Sequence, residues 1–231
     1  MSIEDNENYY VLEEEDQEMD LDNSPLNFAA YREEDLQEEE KDLAIPGKKR
    51  SPFASLFHIM FNPVEGWKSL RRSKISPEAF QSGCFYPLLA ILAVSKFADY
   101  FYSVNVSLTK IVTESVVAFV AFFFAYFCIP VVLSWLLPKK VMEIFDERFG
   151  KEYILIALST LTLFSIVTTL LPMLWPILIF LPIWTFYIMF KGTRFFKFPQ
   201  KEEMKFFVLC SSAVIALPLL IDWVLNTIMP Y

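Results

Sequence analysis

Residues 153–190 read YILIALSTLTLFSIVTTLLPMLWPILIFLPIWTFYIMF, 38 positions without one charged side chain. At about 1.5 Å per residue a continuous helix of this length would be nearly twice as long as the ~30 Å hydrocarbon core of a bilayer is thick. The run must therefore fold back on itself. Its only clustered breakers near the middle are Pro172 and Pro176, so a tight hairpin is expected there, joining spans at about 153–171 and 174–190, with Pro182 bending the second.

The rest of the chain has the same character. Of its 231 residues 55% are hydrophobic and 17% aromatic, and so few polar side chains could not clothe the surface of one soluble domain. Three further apolar runs have spanning length: about 80–102, 111–137 and 206–228. The expected fold class is thus all-α, a polytopic membrane protein with five transmembrane helices in a bundle over 76–231. An odd number of crossings places the first and last residues on opposite sides.

Charge is segregated along the chain. Residues 1–47 hold seventeen acids against Arg32 and Lys41, while 48–231 hold eleven acids against eighteen cations, so a net −15 is joined to a net +7. The acidic leader lacks a sustained helical or strand period. It cannot bury enough apolar surface to offset chain entropy, and is expected to be a disordered cytoplasmic tail. With no basic flank and apolar core at its start, no signal peptide is expected.

With five spans and the first residue inside, the cytoplasmic segments take Lys48 to Lys74, Lys139 to Lys151 and Lys191 to Lys205, and the outer loops keep only Lys110. That distribution obeys the positive-inside rule, in which acids count for little.

Between tail and bundle, over 51–75, Ser51-Pro52, Asn62-Pro63 and Ser76-Pro77 each pair a capping residue with proline at a first helical position. Two short helices are expected before the first span. In the earlier one, Phe53, Leu56, Phe57, Met60 and Phe61 form one face, with Ser55 and His58 opposite. In the next, Trp67 and Leu70 face one way while Lys68, Arg71 and Arg72 can reach lipid phosphates. An aromatic suited to the headgroup zone beside cations describes a membrane-interface anchor, comprising Phe57, Phe61, Pro63, Trp67, Lys68, Arg71 and Arg72. The alternative is that this face packs on the cytoplasmic ends of the spans.

This order, a polar leader, a short aromatic helix, Pro63-x-x-x-Trp67, a basic patch and five spans, resembles the Yip family, the Ypt-interacting proteins, most of all its bacterial relatives. The resemblance covers residues 53–228. It implies a non-enzymatic integral membrane protein; eukaryotic members are implicated in Golgi traffic and in contact with prenylated Rab GTPases. The D-L-Y-G-P motif shared by those members does not occur in this sequence.

Enzymatic chemistry finds little material. No phosphate-binding loop, nucleophile elbow or H-E-x-x-H occurs, and five glycines with one histidine leave scant means for triads or metal cages. Cys84, Cys128 and Cys210 are widely spaced in apolar runs and read as buried, inert thiols, so no cofactor and no metal are expected.

Four ionisable residues lie in or beside the spans, all toward the outer leaflet: Lys96, Asp99, Glu114 and Asp222. Charge at a helix centre costs about 2.5–3.5 kcal/mol on insertion scales, so these form a candidate polar pocket for a small transporter or channel. The favoured reading instead lets Lys96 snorkel outward, leaves Glu114 in water and uses Asp222 to bind backbone or tyrosine hydroxyls. The hydroxyls of 159–169 are expected to bond between helices.

The function these readings support is that of a membrane organiser or adaptor. Its partners would be the lipid bilayer and a cytoplasmic protein met through the acidic tail, with no nucleic acid, because the tail would repel phosphate. The expected location is a bacterial inner membrane, or else a Golgi or endoplasmic reticulum membrane.

Overall fold

The computed structural model describes residues 51–229 except 74, 103–106, 147, 175, 177–179 and 197. The acidic segment 1–47 lies outside the described residues. Every regular element among the described residues is helical: α1 Pro52–Phe61, α2 Pro63–Ser73, α3 Pro77–Tyr102, α4 Leu108–Leu136, α5 Lys139–Asp146, α6 Arg148–Leu170, α7 Leu181–Thr193 and α8 Gln200–Ile228. Four of them, α3, α4, α6 and α8, are long and apolar enough to cross a membrane.

Helix starts follow the local chemistry. The Ser51 hydroxyl accepts from Ala54 N, Ser76 from Ala79 N and Ser107 from Lys110 N, each satisfying an amide that the first turn leaves without a helical partner. Proline follows at Pro52, Pro63 and Pro77, where no donor is lost. Inside α3 the backbone widens to a π turn over Gln81–Phe85 and tightens to a 3-10 turn over Lys96–Ala98. Helices α4 and α8 run unbroken through Pro130 and Pro218.

The predicted reversal is present. Helix α6 ends at Leu170, a 3-10 turn covers Pro172–Leu174, and α7 begins at Leu181. Tyr153, at the start of α6, donates its hydroxyl to the carbonyl of Met189, near the end of α7, at 2.9 Å, so the two helices are antiparallel. The described part of α7 is 13 residues, about 20 Å of helix; part of the expected span 174–190 lies outside the described residues.

Helix α6 is the centre of the bundle, with every residue from Glu152 to Thr162 buried. Helices α3, α4 and α7 pack around it, and α4 lies along α8 over the longest of the helix contacts. The inward stripe of α4 is Ile111, Ser115, Ala118, Ala121, Ala125, Ile129 and Leu133. Small residues along such a stripe let helices approach closely, which matters where lipid is as apolar as the interior. On their outer sides α4 and α8 expose Val116, Phe124, Val131, Trp135, Leu219 and Trp223, a surface suited to acyl chains.

The expectation about hydroxyls is met at Ser159, whose hydroxyl approaches the Cys84 thiol of α3, and is corrected for three threonines. Thr160 and Thr162 donate to Ile156 O and Leu158 O of their own helix, and Thr168 to Ser165 O, rather than bridging helices. A threonine in an α-helix finds the carbonyl one turn back already within reach, so the local acceptor wins.

Candidate functional site

Helices α1 and α2 form a hairpin turned at Asn62, and it is set into the bundle rather than laid upon it. Its helices meet so closely that a Cβ on Gly66 would stand 2.4 Å from Ile59 Cα. Only glycine permits that approach. Two indoles then fasten the hairpin to α7. Trp67 of α2 donates Nε1–H to Ile188 O at 3.0 Å, and Trp184 of α7 donates Nε1–H back to Met60 O at 2.9 Å. Trp67 is 0% exposed and lies against Gly192, where a Cβ would come within 2.7 Å of its Cε2 atom.

The anchor residues therefore divide. Pro63 and Trp67 are buried, so Trp67 holds the hairpin to protein rather than to headgroups. That is the packing alternative, and its cause is the space that Gly192 leaves on α7 beside the Ile188 carbonyl, whose second lone pair takes the indole N–H. Lys68, Arg71 and Arg72 of α2 are half-buried, while Phe57 (42%) and Phe61 (83%) of α1 are exposed. The expected face of α1 is also corrected: its buried residues are Ser55, Leu56, Ile59 and Met60. Ser55 enters that face because its hydroxyl is satisfied locally, donating to Ser51 O at 3.2 Å.

Around Trp67 an aromatic core closes this end of the bundle. Trp67 packs on Phe149 and Tyr153; Tyr153 meets Phe196 edge-on at 5.2 Å; Phe145, Phe198 and Phe206 complete the set. It draws together α2, the amphipathic α5, the starts of α6 and α8, and the turn after α7. Cations ring it: Lys139 and Lys140 open α5, Lys191 stands 5.5 Å over the Tyr187 ring and Arg194 5.5 Å over Phe190. Sequence reasoning missed this core, although the spacing of Val141 and Phe145 and the phenylalanines of 195–207 were readable signals.

The four ionisable groups in or beside the spans are only partly brought together. Asp222 of α8 lies within electrostatic reach of Lys96 in the 3-10 turn of α3, and accepts from Asn226 Nδ2 at 3.1 Å. Glu114 instead pairs with Lys110 one turn away on its own helix, at 3.8 Å. Asp99 opens the last turn of α3, just beyond Lys96. Among the described residues no cluster of three or more His, Cys, Asp or Glu is arranged to hold a metal ion.

An inset aromatic hairpin carrying a P-x-x-x-W step thus precedes the apolar helices of spanning length. The Yip1 domain model matches residues 57–223, from the exposed face of α1 to the last turns of α8. The chain belongs to the Yip1 domain family. It is thus an integral membrane protein of the Yip type, and the Yip1 match takes in both partners of the indole clasp and all four ionisable residues, Lys96, Asp99, Glu114 and Asp222. No curated protein and no solved structure matches the chain.

Proposed function

We propose that this Yip-family chain acts without catalysis as a membrane organiser or adaptor, which recruits a soluble partner to the cytoplasmic face through its acidic segment 1–47. The observation that carries the reading is the one-sided distribution of cations. Lys68, Arg71, Arg72, Lys139, Lys140, Lys191 and Arg194 fall in the stretches before α3, between α4 and α6, and at the end of α7, which five crossings would put on one side. By the positive-inside rule that side is cytosolic.

In this reading α7 is a fifth crossing, supported by its antiparallel pairing with α6, which takes the chain end to the far side. The net charge of −15 over 1–47 is an adaptable surface for a basic partner. The membrane is proposed to be a bacterial inner membrane, with a Golgi or endoplasmic reticulum membrane as the alternative. Affinity capture with the full chain and with a chain lacking 1–47 tests the role of the tail: loss of co-purifying proteins on truncation is expected, and an unchanged set refutes it.

The transporter reading would use Lys96, Asp99, Glu114 and Asp222. Its one favouring observation is the approach of Lys96 to Asp222 across α3 and α8. The pairing of Glu114 with Lys110 weighs against a shared pocket of four. Proteoliposome flux abolished by replacing Lys96 and Asp222 would establish it in place of the adaptor.

A further inference from the structure

The indole clasp fixes more than the attachment of the α1–α2 hairpin, because it also fixes its depth. Along α7, Trp184 lies seven residues before Lys191, about 10 Å of helix axis. Its indole meets Met60 O, next to the hairpin turn, while Ile188, nearer the cationic end, meets Trp67 after the turn. The chain therefore descends along α1 and climbs back along α2, with Lys68, Arg71 and Arg72 on the returning limb. Phe57 and Phe61 point outward from the descending limb, and Phe61 is 83% exposed. Beside them on α7, Ile183, Trp184 and Tyr187 are also exposed. The bond from Trp184 to Met60 O sets these exposed apolar residues of α1 and α7 on two joined elements.

We infer that the α1–α2 hairpin is a wedge seated in the cytosolic leaflet alone, its Phe57–Phe61 edge covered by the upper acyl chains, and that it gives the protein a preference for membranes curved convexly toward the cytosol. This rests on the reading of the long helices as bilayer spans with the cationic end cytosolic. Three observations select lipid as the occupant. Exposed Phe57 and Phe61 belong to a hairpin bonded to α7, which exposes Ile183, Trp184 and Tyr187; the returning limb carries cations toward the headgroup zone, Lys68 among them; and Glu65, exposed one turn past the tip, keeps the insertion shallow. A shallow insertion of about 5–10 Å expands the headgroup zone more than the tails, and such insertions are sensitive to curvature. The spans cross both leaflets and carry no such asymmetry.

The test uses the full chain in giant vesicles containing anionic lipid. Only molecules whose N-terminal tag faces outward are labelled, with a dye that cannot cross the bilayer, and narrow tubes are drawn from the vesicles. Labelled parent protein is expected to be enriched on the tube by about two-fold or more over a lipid dye. The double variant Phe57→Ser, Phe61→Ser, altered only at exposed positions, is expected to spread evenly. Even spreading of the parent, or equal enrichment of the variant, overturns the inference. A second readout serves should that variant not fold. A fluorophore on Phe61→Cys is expected to be quenched by nitroxides on the upper acyl chains and not by aqueous iodide. Quenching by iodide, or disulfide cross-linking of Phe61→Cys between two copies, overturns it. Failure of the underlying reading would show earlier, as absence of the chain from floated vesicles.

Discussion

Replacing Gly192 with alanine is expected to loosen the hold of α7 on the hairpin. The new methyl would meet Trp67 Cε2 at 2.7 Å, Trp67 Cζ2 at 2.8 Å and Tyr153 Cε2 at 2.8 Å, where carbons ordinarily stand about 3.5–4.0 Å apart. Neither ring can retreat easily. Both are 0% exposed, and each is bound through its polar atom to α7, at Ile188 O and Met189 O. Overpacking of this kind costs about 1–3 kcal/mol. Displacing a ring also weakens a hydrogen bond of about 0.5–1.5 kcal/mol, while alanine in place of glycine returns about 1 kcal/mol of helix propensity. The net expectation is a loss of about 1–3 kcal/mol, read by reversible unfolding in bicelles.

A double-mutant cycle with Trp67→Phe sharpens the test. A phenyl ring lacks the fused-ring atoms that the methyl would strike, and the Ile188 carbonyl keeps its place in the helical ladder. The pair should therefore cost less than the sum of the singles by about 1 kcal/mol or more. Unchanged or increased stability of Gly192→Ala, or strict additivity in the cycle, would refute the reasoning.

Gly66→Ala should be costlier than Gly192→Ala in the same assay, because its Cβ meets Ile59 Cα at 2.4 Å and a backbone atom cannot rotate away. Trp184→Phe removes the bond to Met60 O, and hydrogen exchange should rise in α1 while α4 and α8 keep their protection. Lys110→Ala breaks a half-exposed pair with Glu114, and its unfolding free energy should stay within about 0.5 kcal/mol of the parent. Removing Lys96 or Asp222 alone leaves the other charge without its counter-charge, so Lys96→Met with Asp222→Asn should be more stable than Lys96→Met by itself, as unfolding would show.

What could be read in the sequence, and what could not, divides along physical lines. The reversal after Leu170 was legible because an uncharged run of 38 residues exceeds any bilayer and its prolines cluster at 172 and 176. Helix starts at Pro52 and Pro77 were legible because Ser-Pro is local chemistry, complete within four residues. The Ser107 cap, without a following proline to mark it, carries a weaker local signal. The buried face of α1 was not legible, since lipid and protein interior select the same apolar side chains, and periodicity separates apolar from polar, not one apolar surrounding from another. Trp67 shows the same ambiguity, as its indole suits the headgroup zone and a buried carbonyl equally well. Partners such as Ile188, 121 positions away, lie beyond any local pattern.

Both clasping indoles address main-chain oxygens, which every amino acid supplies. Met60 and Ile188 could each be exchanged for another aliphatic residue and the attachment would survive, whereas the donors Trp67 and Trp184 have no substitute of equal reach. The tolerance to mutation across this joint is thus lopsided. On the accepting side only apolar packing constrains the residue, and the identity of the joint is written in two tryptophans and the glycines, Gly66 and Gly192, that let the helices close upon it.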